Sequence, residues 1–276
     1  MIPRTLPITA LAALVATGCT GAQRVDSTKD SSIEGWTLTW SDEFDGEAGQ
    51  PPDPATWVHD VGGHGWGNEQ LEFNTDRVDN AQLDGDGVLW IRATTESYGG
   101  NEYTSARIKT EGLKEFGYGR LEARIRLPAG KGIWPAFWML GSQFSSVGWP
   151  GCGEIDILEL RGSQPQNLLG TLHGPGYSGG NGVGSHYTAG SPLSEDFHIY
   201  AIERSENRIR WYLDDVMFSE KTPADLPADT EWVFNGDFFA ILNVAVGGHF
   251  VEAPDQSTPF PALMGIDYLR FYEPNE

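Results

Sequence analysis

A chain of 276 residues with 39 acidic against 18 basic side chains has a formal net charge of −21, an excess that repels nucleic acid and heavily sulfated polysaccharides but not neutral polymers. The 35 glycines, 17 prolines and 10 tryptophans suit many short strands joined by turns, with aromatic surfaces to spare, and argue against a long-helix protein. One large all-β domain accounts for the length.

In chain order, the opening "MIPRTLPITALAALVATGCTGAQ" has one basic residue, Arg4, and then an apolar run from Leu6 that is too short to span a bilayer as a helix. It reads as an export signal. Its end, Ala16-Thr17-Gly18-Cys19, resembles a bacterial lipobox, so residues 1–19 are expected to be a lipoprotein signal with Cys19 the lipidated residue; the alternative is a plain secretory signal cut nearby, which would leave the protein secreted. Thr20 after the cysteine favours the outer membrane, where the host has one, over the inner one. Removing the signal takes away only Arg4. Cys152, the second of two cysteines, then has no thiol to pair with, and no disulfide framework is expected. Residues 20–34 are polar and aperiodic and read as a tether.

The folded domain is expected over 35–274. Short apolar or alternating segments recur between turn clusters: "WTLTWS", "VLWIRAT", "TSARIKT", "YGRLEARIRL", "IWPAFWML", "EIDILEL", "LLGTLH", "FHIYAIER", "RIRWYL", "FFAILNVAV" and "IDYLRFY". In "RLEARIRL" the alternation is strict: Leu121, Ala123, Ile125 and Leu127 point one way, and Arg120, Glu122, Arg124 and Arg126 point to the opposite, solvent-facing side. Helical periodicity is missing apart from a turn near Pro223–Leu226. The economical architecture is a jelly-roll β-sandwich of two antiparallel sheets with a concave cleft.

In "GEIDILEL" the alternation puts Glu154 and Asp156 on one face and Ile155 and Ile157 on the other. Glu159, three after Asp156, would point inward on a regular strand. A one-residue bulge near Leu158 returns it to the acidic face. Glu154 and Glu159 then behave as residues four apart, with Cα atoms ~13 Å apart. Side chains leaning inward bring the carboxyls toward the ~5–5.5 Å of a retaining glycosidase. The same spacing would also serve a merely acidic strand face or a cluster of calcium ligands. Trp134, Trp138 and Trp149 lie close in sequence and would suit the apolar faces of sugar rings. His59, His64, His186, His198 and His249 show no zinc-ligand spacing.

"GEIDILEL", with "GIWPAFWML" before it and "GTLHGPGYSGG" and "FFAILNVAVGG" after it, resembles the glycoside hydrolase family 16 laminarinases, which are bacterial endo-β-1,3-glucanases. The likeness runs from "WSDEFDG" near residue 40 to "IDYLRFY" near 270, and the bulged Glu-x-Asp-x-x-Glu spacing is shared with agarases and carrageenases. The resemblance implies that Glu154 is the nucleophile, Glu159 the acid/base and Asp156 the helper between them. It implies sugar contacts from Trp66 and Asn68 in "GWGNEQLEFNT", where Glu69, Gln70 and Asn74 depart from the commoner residues. Arg107 is matched to an arginine that reaches substrate hydroxyls, and His173 to a histidine beside the acid/base; Trp134 and Trp138 remain sugar-contact candidates on their aromatic character. No cofactor is implied for catalysis. A structural calcium ion is implied, held by the Asp267 side chain and by the carbonyls of Glu43 and Gly87. The implied partner is a neutral β-glucan polysaccharide, with no nucleic acid and no membrane contact beyond a lipid anchor, and the expected state is a monomer. A hydrolase of another β-linked polysaccharide such as agar, or a non-catalytic β-glucan-binding protein, are the alternatives. Binding-only relatives tend to lose a catalytic glutamate, and both are present here.

Overall fold

The structure, a computed structural model, describes residues 31–275. The export signal with Cys19, and the tether up to residue 30, lie outside the described residues. Two sheets face each other across one large apolar core. The sheet that carries the acidic strand has seven members. In spatial order they are Val183–Thr188, Asn167–His173, Glu154–Leu160, Ile133–Gly141, Phe238–Val246, Arg107–Lys109 and Val58–His59, each antiparallel to its neighbour. The opposing sheet has ten strands, with Gly119–Arg126, Ala262–Pro274 and Leu89–Tyr98 at its centre.

Phe238–Val246, "FFAILNVAV", is buried along its whole length, which is why it reads as a continuous apolar run rather than an alternating one. Its even-numbered residues Phe238, Ala240, Leu242, Val244 and Val246 enter the core between the sheets. Phe239 and Ile241 point the other way, into a smaller apolar cluster with Leu140 and Cys152.

Several expectations need correction. One strand pair is parallel: Glu72–Asn74 runs alongside Asn101–Ser105, so the sheets are not wholly antiparallel. "TSARIKT" is not one strand. It is divided at Ala106, with Asn101–Ser105 in the ten-stranded assembly and Arg107–Lys109 in the seven-stranded sheet. At its start the polar side of "RLEARIRL" is not a solvent face. Arg120 and Glu122 are buried because Tyr268 and Tyr272 both donate hydroxyl hydrogen bonds to Glu122, while Arg120 bonds Glu122 and lies over Tyr212. Aromatic hydroxyls satisfy charges that alternation alone assigns to water. The turn near Pro223 is present as a 3-10 helix, Pro223–Asp225, closed by a Thr222–Asp225 capping box. A one-turn helix over Phe144–Val147 was not anticipated.

The bulge is in place. Against Ile133–Gly141 the register steps from Asp156 opposite Trp138 to Leu158 opposite Phe137, and against Asn167–His173 it steps from Asp156 opposite Thr171 to Glu159 opposite Leu169. One extra residue is therefore accommodated at Ile157–Leu158, and both side chains are buried in the core. A bulge interrupts ladder hydrogen bonds, and here the opposing sheet supplies a donor: Trp211 reaches across the core and donates its indole N–H to the Asp156 carbonyl at 2.9 Å. Gly170 makes room for that indole, since a Cβ there would lie 2.7 Å from Trp211 Cδ1. Trp211→Phe should leave a buried carbonyl unsatisfied at a cost of about 1–3 kcal/mol. Chemical denaturation of wild type and variant would measure it. A variant as stable as wild type would show that the bond contributes nothing.

Candidate active site

The bulge determines which side chains leave the core. Glu154, Asp156 and Glu159 all line one cleft of about 850 Å³ on the outer face of the seven-stranded sheet. Each carboxylate is held by a neighbouring element. Glu154 Oε2 accepts the indole N–H of Trp149 at 2.9 Å, and Glu159 Oε1 accepts that of Trp134 at 3.1 Å. His173, directly opposite Glu154 on the adjacent strand, puts Nε2 3.1 Å from Asp156 Oδ2 and 3.6 Å from Glu154 Oε1. His173 thus stands beside the first two carboxylates, not beside Glu159 as the resemblance implied, because strand register pairs it with Glu154. Gly182 lets the following loop close over the imidazole, since a Cβ there would lie 2.4 Å from His173 Cε1.

Burial raises all three carboxyls to about 8. For Asp156 burial is the whole cause. For Glu154 and Glu159 the negative charge of Asp156 adds to it, while His173 and the indole donors oppose it. Packed this closely, the trio holds protons at neutral pH that isolated carboxylates would have lost. Such a site can keep one carboxyl protonated as an acid beside another that serves as a base or nucleophile.

The same pKa shift makes a stability prediction. A carboxyl whose folded pKa is raised costs nothing below its ordinary pKa, and its cost grows as pH rises from about 4 to about 8 and stays constant above that. Asp156→Asn should therefore gain melting temperature relative to wild type as pH increases across that window. A difference that does not change with pH would contradict the burial of Asp156 as a charged group.

The remaining expected contacts also gather in the cleft. Arg107 is clamped between two indoles, 4.9 Å from the Trp66 ring and 4.6 Å from the Trp138 ring, with Nε 2.9 Å from Asp60 Oδ2. Trp66 sits at positive φ, 50°, in the turn Gly65–Gly67, and the carbonyl of nearby Asn68 accepts the backbone N–H of His249. Trp138 donates to Asn243 Oδ1 at 2.8 Å. Trp66, Asn68, Arg107, Trp134, Trp138 and His173 all line the cleft.

Sequence reasoning missed several participants. Asp60, which fixes Arg107, has no motif around it. Phe250, which packs on Trp134 at 4.8 Å, comes from a distant turn. Glu72 is fully buried and pushed up to about 7 by that burial, against hydrogen bonds from Val246 and Asn74 and the positive charge of Arg107. In the sequence it reads only as one acidic residue in a polar loop.

Glu154, Asp156 and His173 are the one trio among the described residues whose potential ligand atoms lie within 4.8 Å of one another, close enough for a metal ion. Asp267, Glu43 and Gly87 lie at the other sheet. Asp267 is the extra residue of a bulge between Ile266 and Tyr268. Leu89 pairs with Ile266 and Asp42 with Leu269, so the chain at Gly87 and at Glu43 converges on it. Asp267 Oδ2 accepts Arg124 Nη1 at 2.8 Å, and the Glu43 carboxylate is paired with Arg270.

Residues 64–259 match the model of glycosyl hydrolases family 16. The chain belongs to this family. It is 42% identical to a beta-glucanase of Rhodothermus marinus over 91% of this chain and 90% of the relative. Among solved structures it resembles the laminarinase catalytic domain of Thermotoga maritima (TM-score 0.82, 46% identity, 88% of this chain and 100% of that one). It also resembles the endo-beta-1,3-glucanase of Pyrococcus furiosus (TM-score 0.83, 44% identity, 89% and 98%). Family 16 hydrolases need no catalytic cofactor.

Proposed function

We propose that the chain is a retaining endo-β-1,3-glucanase that cuts laminarin-like glucans, with mixed-linkage β-1,3-1,4-glucan as a side substrate. The observation that carries this is three carboxylates on one face of a bulged strand, at the floor of a cleft walled by indoles. Glu154 attacks the anomeric carbon while Glu159 gives its proton to the departing glycosidic oxygen, leaving a glycosyl ester on Glu154. Glu159, now ionised, takes a proton from water, which attacks the same carbon and frees Glu154 with the configuration retained. Asp156 and His173 stand beside Glu154 and adjust the charge it feels. Trp66, Trp138 and Trp134 offer faces to sugar rings, and Arg107 offers its guanidinium to hydroxyls.

Reducing-sugar release from laminarin, mixed-linkage glucan, agarose and carrageenan tests the assignment. Release chiefly from laminarin is expected. Release chiefly from agarose would replace the glucanase with a galactanase, and binding of laminarin without release would leave a glucan-binding protein.

Two finer proposals accompany this one. Residues 1–19 direct export with Cys19 as the lipidated residue, anchoring a monomeric domain over 35–274 at the cell envelope through the 20–34 tether; Cys19→Ser should release the protein from the membrane fraction. The Asp267 side chain with the carbonyls of Glu43 and Gly87 would hold calcium, an oxygen-only donor set that suits a hard cation. Added calcium should then raise the melting temperature of the wild type but not of Asp267→Ala. A wild-type melting temperature unmoved by chelator at low ionic strength would remove that site and leave the glutamate assignments untouched.

A further inference from the structure

Glu72 is a buried carboxylate with no place in the chemistry above. It lies on the short strand Glu72–Asn74, and its surface is fully covered. Its Oε2 accepts the backbone N–H of Val246 at 2.8 Å and its Oε1 accepts Asn74 Nδ2 at 3.3 Å. Val246 ends the long central strand and opens a turn through Gly247 and Gly248, both at positive φ (65° and 101°). That turn delivers Phe250 to the cleft, where Phe250 makes two contacts that concern Glu159. Its ring packs on Trp134, 4.8 Å between centroids, and Trp134 donates to Glu159. Its carbonyl accepts Arg161 Nε at 3.0 Å, and the Arg161 guanidinium lies 4.0 Å from the Phe250 ring centroid, two residues along the chain from Glu159.

We propose that Glu72 is a positioning residue for the proton donor Glu159, acting through the Val246–Phe250 turn on Trp134 and Arg161. A buried charge is an expensive way to hold one amide. What it secures is the start of a turn rich in glycine, whose conformational freedom would otherwise let Phe250 wander. The backbone N–H of Gly247 to Gly132 and of His249 to Asn68 hold the middle of the turn; at its start the Val246 carbonyl accepts the Leu71 N–H and Glu72 holds the Val246 N–H. Asn74 Oδ1 has no hydrogen-bond partner among the described residues. A glutamine at position 72 could therefore offer its carbonyl to Val246 and its amide to Asn74, keeping the anchor without the charge.

The test uses leaving-group dependence, which a merely structural residue would not alter. Laminarin has a poor leaving group and needs an aligned proton donor, whereas 2,4-dinitrophenyl β-laminaribioside does not. Glu72→Leu should lose about tenfold in kcat on laminarin while the rate of the phenolate burst from the activated substrate, which reports the first step alone, changes by less than about twofold, and Glu72→Gln should stay near wild type on both. Equal losses on the two substrates, or no loss on laminarin, would overturn the proposal. If Glu72→Leu fails to fold, Phe250→Leu carries the same expectation for laminarin kcat and for the burst rate, and an equal loss there overturns it too. The inference rests on Glu159 as the acid/base. Glu159→Ala measured alongside separates the failures: no selectivity in that variant removes the acid/base assignment, whereas selectivity there without selectivity at Glu72 removes only the positioning role.

Discussion

Glu154→Ala is expected to lower laminarin hydrolysis by about 10⁴-fold or more, since a double displacement cannot begin without its nucleophile. The fold should survive, because Glu154 faces the cleft rather than the core and removing it relieves repulsion with Asp156 and Glu159. The variant leaves a small space beneath the anomeric carbon, beside the Trp149 indole that held the carboxylate. Azide entering that space can displace an activated leaving group in one step and invert the centre, so 2,4-dinitrophenyl β-laminaribioside should yield the α-glycosyl azide. Full activity on laminarin, or rescue that gives only the β-azide, would remove Glu154 from the nucleophile's role.

Glu159→Ala should lose about 10²–10⁴-fold on laminarin, the usual contribution of a general acid, while formation of the glycosyl-enzyme from an activated aryl glycoside is largely spared. Its second step should slow, because water then lacks a base. Aryl glycosides should accordingly show a burst of phenolate followed by slow turnover, and azide should accelerate that turnover with net retention, giving the β-azide. The opposite configurations of azide product from the two variants separate nucleophile from acid/base. Equal losses on polymer and activated substrate, without a burst, would make Glu159 structural.

Much of this site can be read from the sequence because period-2 alternation is a local property. Ile155 and Ile157 against Glu154 and Asp156 mark the faces of the strand, and the misplaced Glu159 marks the bulge. The mixed residues of "RLEARIRL" mislead for the complementary reason: Arg120 and Glu122 are satisfied by Tyr268, Tyr272 and Tyr212, partners that no local pattern brings together. The division of "TSARIKT" between sheets is equally hidden, since nothing local marks Ala106 as the residue where the chain passes from one sheet to the other. Asp60 and Phe250 reach the cleft, and Glu72 the turn that carries Phe250, by long-range packing, and their sequence surroundings carry no motif. The position of His173 was legible as to strand but not as to neighbour, which depends on register with Glu154.

The central claim is a covalent glycosyl ester on Glu154, and trapping it is the most direct measurement. A 2-deoxy-2-fluoro β-laminaribiosyl donor with a dinitrophenolate leaving group slows both steps, but its good leaving group lets the first proceed, so the ester should accumulate. Intact-mass spectrometry should show one added 2-fluoro-laminaribiosyl group, and peptide mapping should place it on Glu154, with Glu154→Gln unlabelled. A label on Asp156 or Glu159, or no label together with α-configured first products from laminarin, would contradict the account.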